Sequence, residues 1–302
     1  MRRRLAVATV AVVIGAGAVL SLRGDLAERP LPSRPFLAGP SSLVLAHRGA
    51  SLAAPENTLQ AFALALEMGA DILELDVHAT SDGAVVVIHD ETVDRTSNGT
   101  GRVAAQTLAD LRRLDFGHAF SPDGGATYPY RNAGVRIPTL EDVITRFPRA
   151  RLNIEIKQTV PDILDRVWEV VRDRAAEDRV LMTVLPESIA RWSRLSGDRT
   201  ALAVDGDSAR RFVGSVVAKA AALYRPEGDV LQLPLQWKVG FTTIRLDTRE
   251  IIAGAHAAGL LVDYWTIDDE PTMRRLFGLG ADAITTNRPD LAVKVLRDLG
   301  RR

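Results

Sequence analysis

Apolar and polar positions change period many times along the chain, and the changes mark alternating strands and helices. Asp71 to His78 alternates with period two, which puts Ile72, Glu74, Asp76 and His78 on one face of a strand. Ser81-Asp82-Gly83 is turn chemistry, and Val85 to Ile88 is a continuous β-branched run of the kind buried on both faces. Upstream, Ser41 to Ala46 reads as a short apolar strand. Asn57 or Thr58 can cap a helix from Leu59 to Met68, which Gly69 ends. After Asp90 the pattern weakens. Residues 90–137 are polar and rich in Gly and Pro, with one short helix from Thr107 to Leu114, and read as an insertion, because so long a loop is usually functional.

Regular alternation resumes at Ile137, with a helix to Arg146. Strands are expected at 151–156, 180–184, 200–204, 230–234, 260–267 and 282–286. Helices are expected at 162–176, 187–195, 208–221, 248–258, 270–279 and 289–299. No repeat of 20 to 50 residues is present. Eight or nine strands alternating with helices predict an α/β fold, a (β/α)8 TIM-like barrel over residues 41–302 with a small insertion after the third strand. A doubly wound open sheet is the alternative. It usually opens with a Gly-rich turn, and His47-Arg48-Gly49 is not one.

Composition narrows the chemistry. Lys+Arg and Asp+Glu both number 38, so there is no net charge to attract nucleic acid, and no basic stripe carries interleaved aromatics. Cysteine is absent, which excludes disulfides, thiolate metal sites and cysteine nucleophiles. Any metal must use oxygen or imidazole ligands. At the start, Arg2 to Arg4 precede an uncharged stretch, Leu5 to Leu22, about one bilayer core long as a helix. Residues 1–22 therefore read as a signal-anchor that holds the barrel outside the cell membrane. A signal peptide cleaved after Ala18, releasing a secreted barrel, is the alternative. Residues 23–40, with four prolines, read as a stiff linker.

In a barrel, side chains at strand ends converge on one mouth. Strand one ends in His47 and Arg48, strand two carries Glu74 and Asp76, and strand three ends in His89. The next strand carries Glu155 and Lys157, again two apart and so on one face. Three carboxylates suit a hard divalent cation. Two histidines can take and give protons, and Arg48 and Lys157 suit phosphate oxygens. Such a set is the equipment of phosphodiester cleavage. The bland alternative is that the acids lie on a solvated edge, or pair with Arg48 and Lys157 without a metal. His256 reads as a packing residue within a helix, His118 as an insertion residue able to line an entrance, and His78 as a partner behind the acids. Trp168, Trp192 and Trp237 read as packing or surface.

The motifs His47-Arg48-Gly49, Pro55-Glu56-Asn57-Thr58, Glu74-Leu75-Asp76-Val77, His89-Asp90, Arg95-Thr96 with Asn98-Gly99, and Ile137-Pro138-Thr139-Leu140 follow one another along the first half. Asn153-Ile154-Glu155-Ile156-Lys157, Ala255-His256, Trp265-Thr266, Gly280-Ala281-Asp282 and Thr286-Asn287-Arg288-Pro289-Asp290 complete the set. In order and spacing, from residue 43 to the end, the chain resembles the glycerophosphodiester phosphodiesterase family. That resemblance implies a barrel with an insertion after the third strand. It implies one divalent cation, Ca2+ or Mg2+, on Glu74, Asp76 and Glu155. His47 and His89 would be the acid/base pair, Arg48 and Lys157 would bind phosphate, and Trp265 would line the pocket. His78 and Asn287 depart from the family, which often has a longer polar residue and an aspartate there. The expected reaction is hydrolysis of a glycerophosphodiester to glycerol phosphate and an alcohol. The rivals are lysophospholipase D or phospholipase C-like cleavage of lipid, and a non-catalytic phosphate- or lipid-binding barrel.

Overall fold

Eight strands of the computed structural model, which describes residues 29–30, 33–39 and 41–302, run parallel and nearly close into a barrel. In chain order the strands are β1 (Leu43–Ala46), β2 (Ile72–Ala79), β3 (Val85–Val87), β4 (Arg151–Ile156), β5 (Val180–Thr183) and β6 (Ala201–Leu202). There follow β7 (Val230–Leu233), β8 (Gln236–Val239), β9 (Thr242–Arg245), β10 (Leu261–Tyr264) and β11 (Ala283–Thr286). The sheet runs β6-β5-β4-β2-β1-β11-β10-β7, and a parallel bridge from Ala203 to Val230 joins its two ends. The expected targeting segment, residues 1–22, lies outside the described residues. Among the described residues, no helix is long and apolar enough to cross a membrane.

Two features were not legible from periodicity. The third strand in the chain, β3, is no barrel stave. It folds back antiparallel on β2, with Val77 opposite Val87. It is buried on both faces, as its β-branched run suggests: Val85 and Val87 join the main core, while Val86 and Ile88 join a separate core under the insertion with Val103, Leu111 and Phe116. The second feature is the β8–β9 hairpin, which follows β7 where no element was expected and pairs Trp237 with Ile244.

Period-two alternation sorts the barrel staves. Outward residues such as Val44, Leu73, Leu75, Leu152 and Ile154 pack in the main core that also holds helix residues. Inward residues near the strand starts, among them Leu45, Ile72, Leu181, Val230 and Ala283, form a smaller apolar cluster with Phe36. Phe36 belongs to the Pro-rich stretch read as a linker, yet it is buried, in a single 3-10 turn (Pro35–Leu37) beneath the barrel. The Arg151 guanidinium donates to its carbonyl at 3.2 Å, and Arg34 pairs with Asp229 at 2.7 Å. Phe36 thus stoppers the barrel floor. Phe36→Ala is expected to cost about 3–5 kcal/mol of stability through the cavity it leaves. Urea unfolding would measure that cost, and activity per folded molecule should stay unchanged because the site is at the other end.

Candidate active site

The site is assembled by strand register. Parallel pairing of β2 with β4 sets Glu74 beside Asn153 and Asp76 beside Glu155, so carboxylates 79 residues apart in sequence become neighbours. One oxygen from each of Glu74, Asp76 and Glu155 can be chosen so that all lie within 4.8 Å of one another. Glu74 and Asp76 are buried. Burial, and then the adjacent Asp76 charge, push the Glu74 carboxyl well above the ordinary range. Packing like charges this closely is costly unless a cation sits among them. The oxygen-only donor set fits a hard divalent ion.

Two protein cations reach the same acids. Lys157 Nζ lies 2.7 Å from Glu155 and 3.3 Å from Asp76, and Arg48 Nε lies 3.4 Å from Asp76. Burial works against the Lys157 charge, but Asp76 and Glu155 hold its pKa above the usual lysine value. Arg48 takes a left-handed backbone (φ 56°), which turns its N–H onto Glu74 Oε2 at 2.8 Å. The next residue must be glycine, because a Cβ on Gly49 would lie 2.7 Å from Ala61. Of the two candidate caps, Thr58 caps the helix at Leu59–Glu67. Asn57 instead donates its side-chain N–H to Asp76 Oδ2 at 3.0 Å and fixes that carboxylate.

The two histidines are held differently. His47 Nδ1 lies 2.8 Å from Asn287 Oδ1. The amide cannot turn over, because Asn287 Nδ2 donates to Asp268 Oδ2 at 2.7 Å. His47 must therefore carry its proton on Nδ1, which leaves the Nε2 lone pair free. Burial keeps this imidazole below its ordinary pKa. His89 Nδ1 instead faces the Asp90 carboxylate at 2.7 Å. The Arg95 guanidinium holds Asp90 down to about 2. Arg95 also forks onto Glu56, which in turn accepts from Arg48 at 3.0 Å. His89, Arg48 and the insertion are thereby joined in one charge network.

His47, Arg48, Glu74, His89, Glu155, Lys157 and Trp265 all line one cavity of about 440 Å3 at the carboxyl ends of the strands. The model of the glycerophosphoryl diester phosphodiesterase family matches residues 47–291. The chain belongs to that family. A glycerophosphodiester phosphodiesterase of Caldanaerobacter subterraneus subsp. tengcongensis is 33% identical over 264 residues, covering 86% of this chain and 99% of the relative. A probable glycerophosphodiester phosphodiesterase 2 of Mycobacterium tuberculosis is 30% identical over 88% of this chain and 94% of its own length. Among solved structures, a glycerophosphodiester phosphodiesterase from Agrobacterium tumefaciens superposes with a TM-score of 0.67 at 27% identity, over 84% of this chain and 99% of that one. An Oleispira antarctica phosphodiesterase, solved with its product sn-glycerol-3-phosphate, shares the fold with a TM-score of 0.68 at 24% identity, over 85% and 97%. The chain is a phosphodiesterase by membership of this family.

Several features in and around this cavity escaped sequence reading. Trp237, expected in packing or at the surface, lines the cavity from the β8–β9 hairpin, whereas Trp168 and Trp192 stack edge to face in the core. Asp263, with Gln232 and Thr285, forms a polar layer in the barrel. It is fully buried, its Oδ2 accepts from both neighbours, and burial pushes it up to about 6. An aspartate within an apolar strand pattern was the available signal. His78 steadies the backbone before Asp90, its Nε2 lying 3.1 Å from the His89 carbonyl. His256 is tied to Asp282 at 2.8 Å, beside the start of β11. His118 lines neither this cavity nor its neighbour beside the insertion.

Proposed function

We propose that this phosphodiesterase hydrolyses glycerophosphodiesters to glycerol phosphate and an alcohol with the help of one divalent cation, Ca2+ or Mg2+, held by Glu74, Asp76 and Glu155. The observation that carries this reading is the meeting of two histidines, two cations and the carboxylates of Glu74 and Glu155 on a single cavity, with the buried Asp76 carboxylate within 4.8 Å of both acids. When bound, such an ion lowers the pKa of an attacking hydroxyl and neutralises charge developing on phosphate. Arg48 and Lys157 hold the phosphate oxygens. His47, neutral and with Nε2 free, takes the proton from the attacking oxygen. His89, resting on the Asp90 carboxylate that accommodates an imidazolium, gives a proton to the departing alcohol oxygen. Trp265, 47% exposed at the rim, supplies an apolar wall.

The test is direct. Purified protein is offered glycerophosphocholine, glycerophosphoethanolamine and glycerophosphoglycerol with Ca2+, Mg2+ or Mn2+, and released glycerol phosphate is assayed. Turnover of at least one diester with at least one ion is expected. No turnover in any combination would leave a binding barrel as the better reading. Sequence favours export of this barrel by residues 1–22, either anchored or released.

A further inference from the structure

We infer that Arg95, on the insertion, is a positioning residue that aims both the proposed general acid His89 and the phosphate-binding Arg48. The inference rests on the proposed reaction and deepens it, because it gives the insertion a part in the chemistry. Arg95 does not line the catalytic cavity. It lines the neighbouring cavity of about 290 Å3 beside the insertion, with Glu56 and Phe116. Its guanidinium is engaged by two carboxylates. Nε donates to Asp90 Oδ2 at 2.6 Å, and Nη2 to Asp90 Oδ1 at 3.2 Å. Nη1 donates to Glu56 Oε2 at 2.6 Å, and Nη2 to Glu56 Oε1 at 2.8 Å. Each acid shares one of its oxygens with the active site. Asp90 Oδ1 also meets His89 Nδ1 at 2.7 Å, and Glu56 Oε1 also accepts from Arg48 Nη1 at 3.0 Å.

The arrangement has a physical consequence. A carboxylate held by one hydrogen bond can swing, whereas one forked by a planar guanidinium is fixed in plane and direction. Arg95 therefore sets the direction from which Asp90 meets His89 and Glu56 meets Arg48. It also balances their charge. Asp90 is held down to about 2, first by its hydrogen bonds from Arg95. Burial works against the Glu56 charge, yet Arg95 and Arg48 keep that carboxyl below its ordinary value. Both acids are thus ionised at neutral pH, and Arg95 offsets charge that would otherwise draw Arg48 away from phosphate. The loop that carries Arg95 is firmly seated. Val93 is wholly buried in the core under the insertion, and the buried Ser97 hydroxyl donates to the Val93 carbonyl at 2.8 Å. The Arg95 side chain is 48% exposed, so its ion pairs add little to stability. What they supply is aim.

Steady-state kinetics on a glycerophosphodiester that the wild type turns over test the assignment. Asp90→Asn should lower kcat and leave KM nearly unchanged. Glu56→Gln should raise KM and leave kcat nearly unchanged. Arg95→Met should do both, with kcat down about 10- to 100-fold. Arg95→Lys should lose nearly as much, because a point charge cannot fork two carboxylates. Each double variant, Arg95→Met with Asp90→Asn or with Glu56→Gln, should fall well short of the product of the single losses. Thermal unfolding should find every variant folded, with Tm little changed. Wild-type kcat and KM in Arg95→Met, full activity in Arg95→Lys, or double variants whose losses simply multiply would overturn the positioning role. Should Arg95→Met not fold, Arg95→Lys takes its place, and Asp90→Asn and Glu56→Gln that fail to separate kcat from KM would overturn it. A wild type that turns over no diester with any divalent ion would remove the proposed reaction, and this inference with it. That outcome is seen before any variant is compared, so the two failures are told apart.

Discussion

Glu74→Gln is expected to raise the stability of the metal-free protein at pH 7 while lowering kcat/KM at least about 10³-fold, a loss of several kcal/mol in transition-state stabilisation. Both effects have one cause. Glu74 is buried against Asp76 and is pushed well above its ordinary pKa in the fold. A carboxyl whose folded pKa exceeds its unfolded one adds stability below the unfolded pKa. That contribution is lost as pH rises through the folded value. At neutral pH the unfolded state gives up this proton readily, so the wild type carries a strained acid that glutamine removes. The glutamine carbonyl still accepts from the Arg48 N–H, so the loop keeps its anchor. Divalent ions should raise the Tm of the wild type, as any ligand of the native state does, and should do so far less in Glu74→Gln. Calorimetric unfolding with and without chelator, beside steady-state kinetics, checks the pair of outcomes. A wild type that keeps full activity after exhaustive chelation would remove the cation from the mechanism.

His47→Ala and His89→Ala should each lower kcat by about 10² to 10⁴ and leave KM nearly unchanged. In the proposed mechanism each ring handles a proton that moves only during reaction, whereas binding rests on Arg48, Lys157 and the acidic cluster. His256→Ala is the control. It removes a hydrogen bond to Asp282, far from the cavity, and should cost stability alone. Wild-type kcat in both His47→Ala and His89→Ala would show that protons pass by another route. A large KM effect with unchanged kcat would assign the rings to binding.

Much of this site was legible because its spacing is local. Period two puts Glu74 with Asp76, and Glu155 with Lys157, before any pairing is known. Histidines and arginine at the ends of apolar runs fall at a barrel mouth by the geometry of parallel strands. The supporting groups were not legible. Asn57 reaches Asp76 across 19 residues, Arg95 reaches Glu56 across 39, and Asn287 reaches His47 across 240. Asn287 stood out only as a departure from the family, yet its amide, locked by Asp268, sets the His47 tautomer.

The sequence by itself determined the alternation of elements, the barrel class, the absence of thiol chemistry and the residue types of the candidate site. Each of these follows from side-chain chemistry or from a period of two or 3.6 residues, which local sterics impose on any chain. Tertiary structure alone decided that β3 folds back on β2, that Trp237 comes to the cavity on a hairpin, and that Phe36 closes the floor. It also decided that Asp76 and Glu155 lie in register. These depend on which distant segments bury one another's apolar surface. No local pattern encodes that choice, because the same alternation is satisfied by many pairings until the whole core is packed.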